Sequence, residues 1–142
     1  MKVEKRLELK APIERVWTAI TDPAELSMWF PDRVELDLRP GGGGFLDWDE
    51  HGKHQLRVEL AEPPTHLVWH WMTDAGTPFD EALATRVEWT LTPTAGGGTI
   101  LELVETGFAS LKSRQENDRG WDSELGELVA YLERVPVREV QS

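Results

Sequence analysis

The spacing of apolar residues along the chain predicts its first three elements. Over residues 3–9 apolar side chains alternate with charged ones, which indicates a strand. Apolar residues then recur at helical spacing from 13 to 20, directly after a proline suited to the start of a helix. A second short helix is predicted over residues 22–30, because Asp22 and Pro23 are typical of a helix N-terminus.

From residue 34 onward the apolar period is two, which predicts further strands. Six follow, at residues 34–38, 45–50, 56–60, 67–72, 87–91 and 99–106. Short turns rich in Gly, Pro or polar residues separate them, as expected of successive hairpins in an antiparallel sheet. Trp121, Leu125, Leu128 and Leu132 then recur at helical spacing and predict a last helix, which Pro136 stops.

This order of elements predicts an α+β fold, with helices covering one face of a curved antiparallel sheet. The length of 142 residues suits a single domain. We expect that domain to cover residues 1–136 and residues 137–142 to form a C-terminal tail.

Composition narrows the classes of function. The chain has no cysteine, which excludes disulfides, thiolate catalysis and cysteine zinc sites. Its net charge of −11 argues against nucleic acid and anionic membrane surfaces as partners. It has no apolar run long enough to insert into a membrane, and its first residues do not resemble a secretory signal, so we expect a cytoplasmic protein.

Several segments together resemble one known family. They are the AP-x-x-x-V-W pattern at residues 11–17, Trp29-Phe30, the V-x-E-x-x-P-P-like stretch at 58–64, the L-V-x-x-W stretch at 67–71, the G-T-x-L-x-L pattern at 98–103 followed by Gly107-Phe108, and Gly120-Trp121 with Leu125 and Leu128. The chain resembles the SRPBCC (START-like) superfamily, and within it the group named after the activator of the heat-shock chaperone ATPase. His66 stands where that family usually has arginine.

The resemblance implies a helix-grip fold, in which the sheet and the last helix enclose an apolar cavity. Members of the superfamily bind lipids, sterols, polyketides, plant hormones or other apolar molecules, and some are cyclases or aromatases. It implies no cofactor for this chain. A chaperone partner does not follow from the family name, because the partner surfaces cannot be identified in the sequence.

The predicted inner faces supply candidate ligand contacts. Seven tryptophans, against one tyrosine, favour a lined cavity over the alternative of a solid, close-packed core. Trp29 and Phe30 are expected at the mouth, as part of a lid. The remaining candidates are Trp69, Trp71, Val87, Trp89, Leu101, Leu103, Glu105, Trp121, Leu125 and Leu128.

Two residues are candidates for catalysis. Glu105 falls on the inner face near the expected mouth, where burial would raise its pKa and suit it to acid–base chemistry, although a carboxylate on the rim is the favoured interpretation. The strand alternation places His70 opposite the tryptophans, which favours a partly solvated histidine. His51 and His54 flank a polar turn, where solvation is favoured over metal binding, so no metal is expected.

Three hypotheses follow from these observations. The first is a carrier or sensor of a small hydrophobic molecule. The second is a cyclase, aromatase or hydrolase that uses Glu105 or His70. The third is a stress-response or chaperone-associated module that binds a protein partner.

Overall fold

The computed structural model describes residues 1–134. The predicted stop at Pro136 and the predicted tail over residues 137–142 lie outside the described residues. None of the helices in residues 1–134 combines the length and the apolar character needed to cross a membrane.

The chain forms seven strands and three helices over the described residues. In chain order they are β1 (Lys2–Leu9), α1 (Ile13–Thr21), α2 (Pro23–Trp29), β2 (Arg33–Leu36), β3 (Gly43–Trp48), β4 (Gly52–Glu62), β5 (His66–Trp71), β6 (Thr85–Pro93), β7 (Thr99–Thr106) and α3 (Leu111–Arg134).

All seven strands belong to one curved antiparallel sheet in the order β1-β7-β6-β5-β4-β3-β2. From β2 to β7 each strand pairs with its neighbour in sequence, as successive hairpins require. β1 closes the order by pairing with β7, and Leu7 lies opposite Leu101 in that register. The predicted α+β fold, with the long helix on the sheet, is confirmed.

The two short helices begin as their sequence predicts. α1 follows Pro12, whose backbone is extended. Asp22 caps α2, because its carboxylate accepts a hydrogen bond from the Ala24 N–H at 3.0 Å. Pro23 takes the first position of α2, where a missing N–H costs no helical hydrogen bond.

The last helix begins ten residues earlier than the apolar spacing predicts, at Leu111 rather than near Trp121. Residues 112–120 are polar, so they carry no apolar stripe for a sequence pattern to detect. Tertiary contacts hold this part of the helix. The ammonium group of Lys5 pairs with Asp118, and the Arg114 guanidinium donates to the Lys2 carbonyl at 3.0 Å.

The strands around the Gly-rich turn also differ from the prediction. β3 begins at Gly43 and includes Gly44, which were both predicted to lie in the turn. Gly44 has to be glycine, because a Cβ there would lie 2.1 Å from the carbonyl oxygen of Glu35 on the paired strand. β4 extends over Gly52–Glu62 and changes register between Val58 and Leu60.

The helices are joined to one another through one carboxylate. Glu25 of α2 pairs with the Arg15 guanidinium of α1 at 2.5 Å and accepts a hydrogen bond from the Tyr131 hydroxyl of α3 at 2.7 Å. The Arg15 guanidinium also lies 5.5 Å from the centroid of the Tyr131 ring. Because Arg15 and Glu25 are largely buried, this cluster ties both short helices to the long one.

Replacement of Tyr131 by phenylalanine tests this connection. Tyr131→Phe keeps the buried ring and removes only the hydroxyl that donates to Glu25. We expect a loss of about 1–2 kcal/mol in the free energy of unfolding, because a hydrogen bond to a charged group is lost. Urea denaturation measures it, with the exposed Glu133→Gln on the same helix as control. An unchanged midpoint would show that the Arg15–Glu25 pair holds the helices alone.

Candidate functional site

Much of the space between the sheet and α3 is filled by side chains. Trp69 and Trp89 are fully buried, with ring centroids 5.6 Å apart, and Trp89 meets Trp121 edge-on at 5.4 Å. Among the other predicted contacts, the aliphatic residues are all exposed by 2% or less: Val87, Leu101, Leu103, Leu125 and Leu128. Close packing therefore prevails at these positions, which belong to the core.

A pocket of about 530 Å³ remains where the first half of α3 passes the β3–β4 hairpin and the segment after β5. This volume is in the range of sites that hold drug-sized molecules. The pocket is lined by Phe30, Trp48, His51, His54, Trp71, Thr73, Asp74, Ala75, Glu116, Asn117, Gly120, Trp121 and Glu124. Of the predicted ligand contacts, only Phe30, Trp71 and Trp121 are among them.

Four aromatic side chains of this pocket contact one another. The ring of Trp121 is stacked with those of Trp71 and Phe30, each at 5.5 Å between centroids. Trp48 stands edge-on to Phe30 at 5.1 Å and to Trp71 at 6.2 Å. Phe30, Trp71 and Trp121 are nearly buried while Trp48 is half-buried, so the cluster extends from the core into the pocket wall.

Glu105 holds two of these rings. Its carboxylate accepts hydrogen bonds from the indole N–H groups of Trp71 and Trp121, both at 2.8 Å. The Thr85 hydroxyl donates to it at 2.5 Å, and the Asn117 amide donates to both of its oxygens at 3.0 Å. Every partner can donate, and an ionised carboxylate only accepts, so the arrangement satisfies the ionised form.

The favoured expectation of a rim carboxylate at Glu105 is wrong, because its side chain is fully buried. The strand face was correctly predicted, but α3 covers the end of β7 with Asn117 and Trp121. Both carboxylate oxygens are occupied by side-chain donors, and Glu105 does not line the pocket. It positions Trp71 and Trp121, which do.

Glu124 is the titratable group that the pocket perturbs most. Burial raises the pKa of its carboxyl to about 7 from 4.5, and the nearby charges of Glu127 and Asp32 act in the same direction. The Trp48 side chain opposes the shift in part. Glu124 is half-buried and lines the pocket, so near neutral pH it can either donate or accept a proton there.

The remaining sequence candidates lie elsewhere. His70 is on the outer face of the sheet, where its Nε2 lies 2.7 Å from the Glu59 carboxylate. Trp29, the last residue of α2, is buried and donates its indole N–H to the Ala19 carbonyl at 2.8 Å. Neither residue lines the pocket.

The turn with two histidines lines the pocket. His54 donates its Nδ1–H to the Met72 carbonyl at 2.8 Å, since a carbonyl can only accept, and its ring meets Trp48 edge-on. His51 lines the exposed rim. Within residues 1–134, no three His, Cys, Asp or Glu side chains are grouped as metal ligands.

Sequence reasoning missed Trp48, Asn117, Gly120 and Glu124. Trp48 was in a predicted strand but had no helix to face, because α3 was predicted to begin too late. Asn117 and Gly120 lie in the first turns of α3, which the apolar spacing did not predict. Glu124 does not belong to the apolar stripe of the last helix, yet the β3–β4 hairpin partly covers it. A tryptophan at a hairpin end was the one available clue.

This chain belongs to the family described as Activator of Hsp90 ATPase homolog 1-like protein, whose model matches residues 10–133. The resemblance found in the sequence is thereby confirmed. Among curated proteins, none matches the chain significantly.

Solved structures share the fold. A Mesorhizobium loti protein is 24% identical, with a TM-score of 0.83 over 96% of this chain and 100% of its own. CalU16 from Micromonospora echinospora is 29% identical, with a TM-score of 0.76 over 99% and 81%. DynU16, from the dynemicin biosynthetic locus, is 26% identical, with a TM-score of 0.80 over 93% of this chain and 47% of its own.

Removal of the Glu105 carboxylate tests its role. We expect Glu105→Ala to lower the free energy of unfolding by about 3 kcal/mol or more, because buried donors lose their acceptor. In Glu105→Gln an NH₂ group replaces one carboxylate oxygen and faces hydrogen-bond donors. The free energy of unfolding should therefore still fall, but by less than in Glu105→Ala. Urea denaturation measures both, and the indole N–H resonances of Trp71 and Trp121 should move in Glu105→Gln. Glu102→Gln, exposed on the same strand, is the control and should change neither quantity.

The raised pKa of Glu124 predicts a pH dependence of stability. The folded state holds a proton on Glu124 up to about pH 7, whereas the unfolded state loses it near 4.5. Glu124 therefore lowers stability as pH rises between these values. We expect Glu124→Gln to raise the Tm relative to the native chain by a few degrees at about pH 8 and much less at about pH 5. The exposed control Glu133→Gln should change the Tm equally at both pH values. If Glu124→Gln behaved like this control, the raised pKa of Glu124 would be contradicted.

Proposed function

We propose that this protein is a cytoplasmic carrier or sensor that binds a small hydrophobic, aromatic molecule in the pocket between α3 and the β3–β4 hairpin. The observation that supports it is the pocket wall. Four aromatic side chains form one contacting cluster beside a space of about 530 Å³. Aromatic walls with a few convergent polar groups are typical of small-molecule sites.

The pocket wall is also held in place before any ligand arrives. Glu105 fixes the indole N–H groups of Trp71 and Trp121, and each ring is stacked on a neighbour. A site whose rings are already ordered loses little conformational entropy on binding. An aromatic ligand can then pack against Trp48, the half-buried ring of this wall.

A second candidate function is catalysis on an aromatic or polyketide-like substrate, as in a cyclase or aromatase. Glu105 and His70 do not support it, since neither lines the pocket. Glu124 does, because it lines the pocket and its pKa of about 7 suits a general acid or base. DynU16, 26% identical, is a protein of a biosynthetic locus, which is consistent with either function.

A chaperone-associated function has less support. The family takes its name from a chaperone activator. The Aha1 dimer of Colwellia psychrerythraea is 16% identical to this chain, which shows the fold alone.

Blocking the pocket from the helix side tests the proposed binding. Gly120 lines the pocket, and a Cβ added there meets no other atom within 4 Å. We expect Gly120→Phe to fill the space and weaken binding by about tenfold or more, because the ligand must displace the new ring. NMR titration of the indole N–H signals with libraries of sterols, fatty acids and polyphenols measures the affinity.

Gly126→Phe is the matched control. Gly126 lies on the same helix, is exposed, has equal room for a side chain and does not line the pocket. The Gly126→Phe variant should bind every library hit with the affinity of the native chain. Equal binding by Gly120→Phe and the native chain would place the ligand elsewhere. Binding by the native chain to neither this library nor a library of aromatic amines would refute the carrier function.

A further inference from the structure

We infer that the ligand is a cation: an aromatic molecule that carries an amine or quaternary ammonium group, held between the rings of the pocket and its carboxylates. This inference rests on the proposed binding function and names its ligand class. The observation is the juxtaposition of an aromatic cluster with acidic side chains in a lining that contains neither lysine nor arginine.

The charges of the pocket have one sign. Asp74, Glu116 and Glu124 contribute carboxyl groups, whereas the only basic side chains are His51 and His54. His54 already uses its Nδ1–H on the Met72 carbonyl. His51 lies at the exposed rim, as do Asp74 and Glu116, whereas Glu124 is half-buried. A fatty acid or another anionic ligand would therefore meet repulsion from carboxylates and find no guanidinium or ammonium group to pair with.

The protein's own cations do not satisfy these carboxylates. Within residues 1–134, Asp74 and Glu124 have no lysine or arginine nitrogen within 4.0 Å, and Glu116 has only a long contact of 3.9 Å to the exposed Lys112. Basic residues near this end of the sheet are occupied elsewhere. The Lys53 ammonium lies 4.2 Å from the Phe45 ring centroid, and Arg33 pairs with Asp47 and Asp49.

Aromatic rings and carboxylates favour the same kind of ligand. The face of a tryptophan ring attracts a cation within about 6 Å, and the attraction is stronger when the cation is desolvated. Trp48, Trp71 and Trp121 line this pocket, and Trp48 is the half-buried ring among them, whereas Trp71 and Trp121 are nearly buried and stacked on each other. A net charge of −11 on the whole chain adds a long-range field that attracts cations and repels anions.

Glu124 couples this binding to pH. Its carboxyl is faced by Glu127 of α3, Asp32 after α2 and the uncharged Trp48, and the pocket adds Asp74, Glu116, His51 and His54. A bound cation favours the ionised carboxyl, so the site should release protons as an amine binds near neutral pH. Affinity for a permanent cation should rise as pH increases through about 7.

Three probes of one shape and different charge test the inference: naphthylethylamine, naphthylethanol and naphthylacetate. Isothermal titration calorimetry at about pH 7.5, where the amine is protonated, compares their affinities. We expect the amine to bind about tenfold more tightly than the alcohol, and the acetate to bind least. Calorimetry in buffers of different ionisation enthalpy should show proton release with the amine and none with the alcohol.

Glu124→Gln removes a carboxyl group of the pocket, and Glu133→Gln, the matched control, removes one from the same helix outside the pocket. The preference for the amine over the alcohol should fall to about threefold or less in Glu124→Gln and stay unchanged in Glu133→Gln. Binding of the alcohol or acetate as tightly as the amine would overturn the cation inference and leave the binding function standing. Failure of all three probes to shift the pocket's indole resonances would overturn the inference. Hits from the sterol and polyphenol libraries would still support the binding function.

Discussion

The site depends on one buried carboxylate. Glu105 sits at the end of β7, without water contact, and accepts hydrogen bonds from β5, β6 and α3 through Trp71, Thr85, Asn117 and Trp121. Such a group is costly to bury unless every lone pair is matched, and here the donors come from three separate elements. It therefore fixes how α3 sits on the sheet and holds the two indole rings from which the pocket wall is built.

The positions of the tryptophans account for both the packed interior and the open pocket. Large tryptophans deep between sheet and helix remove the space that a wide cavity would need, as the buried pair of Trp69 and Trp89 shows. Their indole nitrogens find no acceptor within residues 1–134, whereas those of Trp71 and Trp121 share Glu105. The polar network thus marks the boundary between the core and this site, and the space of the site lies beyond it, beside Gly120.

Electrostatics then separates two kinds of carboxyl group in one small region. Glu105 is enclosed by hydrogen-bond donors, while burial, and after it the charges of Glu127 and Asp32, raise the pKa of Glu124 to about 7. The first serves structure and the second is available to a ligand. The outer face of the sheet uses charges differently: His66 and His70 pair there with Glu88 and Glu59, away from the pocket.

Local pattern alone determined the order of strands and helices and the α+β class, because periodicity and turn chemistry are properties of neighbouring residues. The family followed from the resemblance of several short motifs. It also placed Glu105 on the inner face, since strand alternation is strict. Only tertiary structure decided that Glu105 would be buried, because Asn117 and Trp121 approach it from a helix whose polar first half has no apolar stripe. Tertiary structure also decided the pocket, because Trp48 is distant in sequence from Gly120 and Glu124 and meets them only where α3 crosses the β3–β4 hairpin. No local pattern records that crossing.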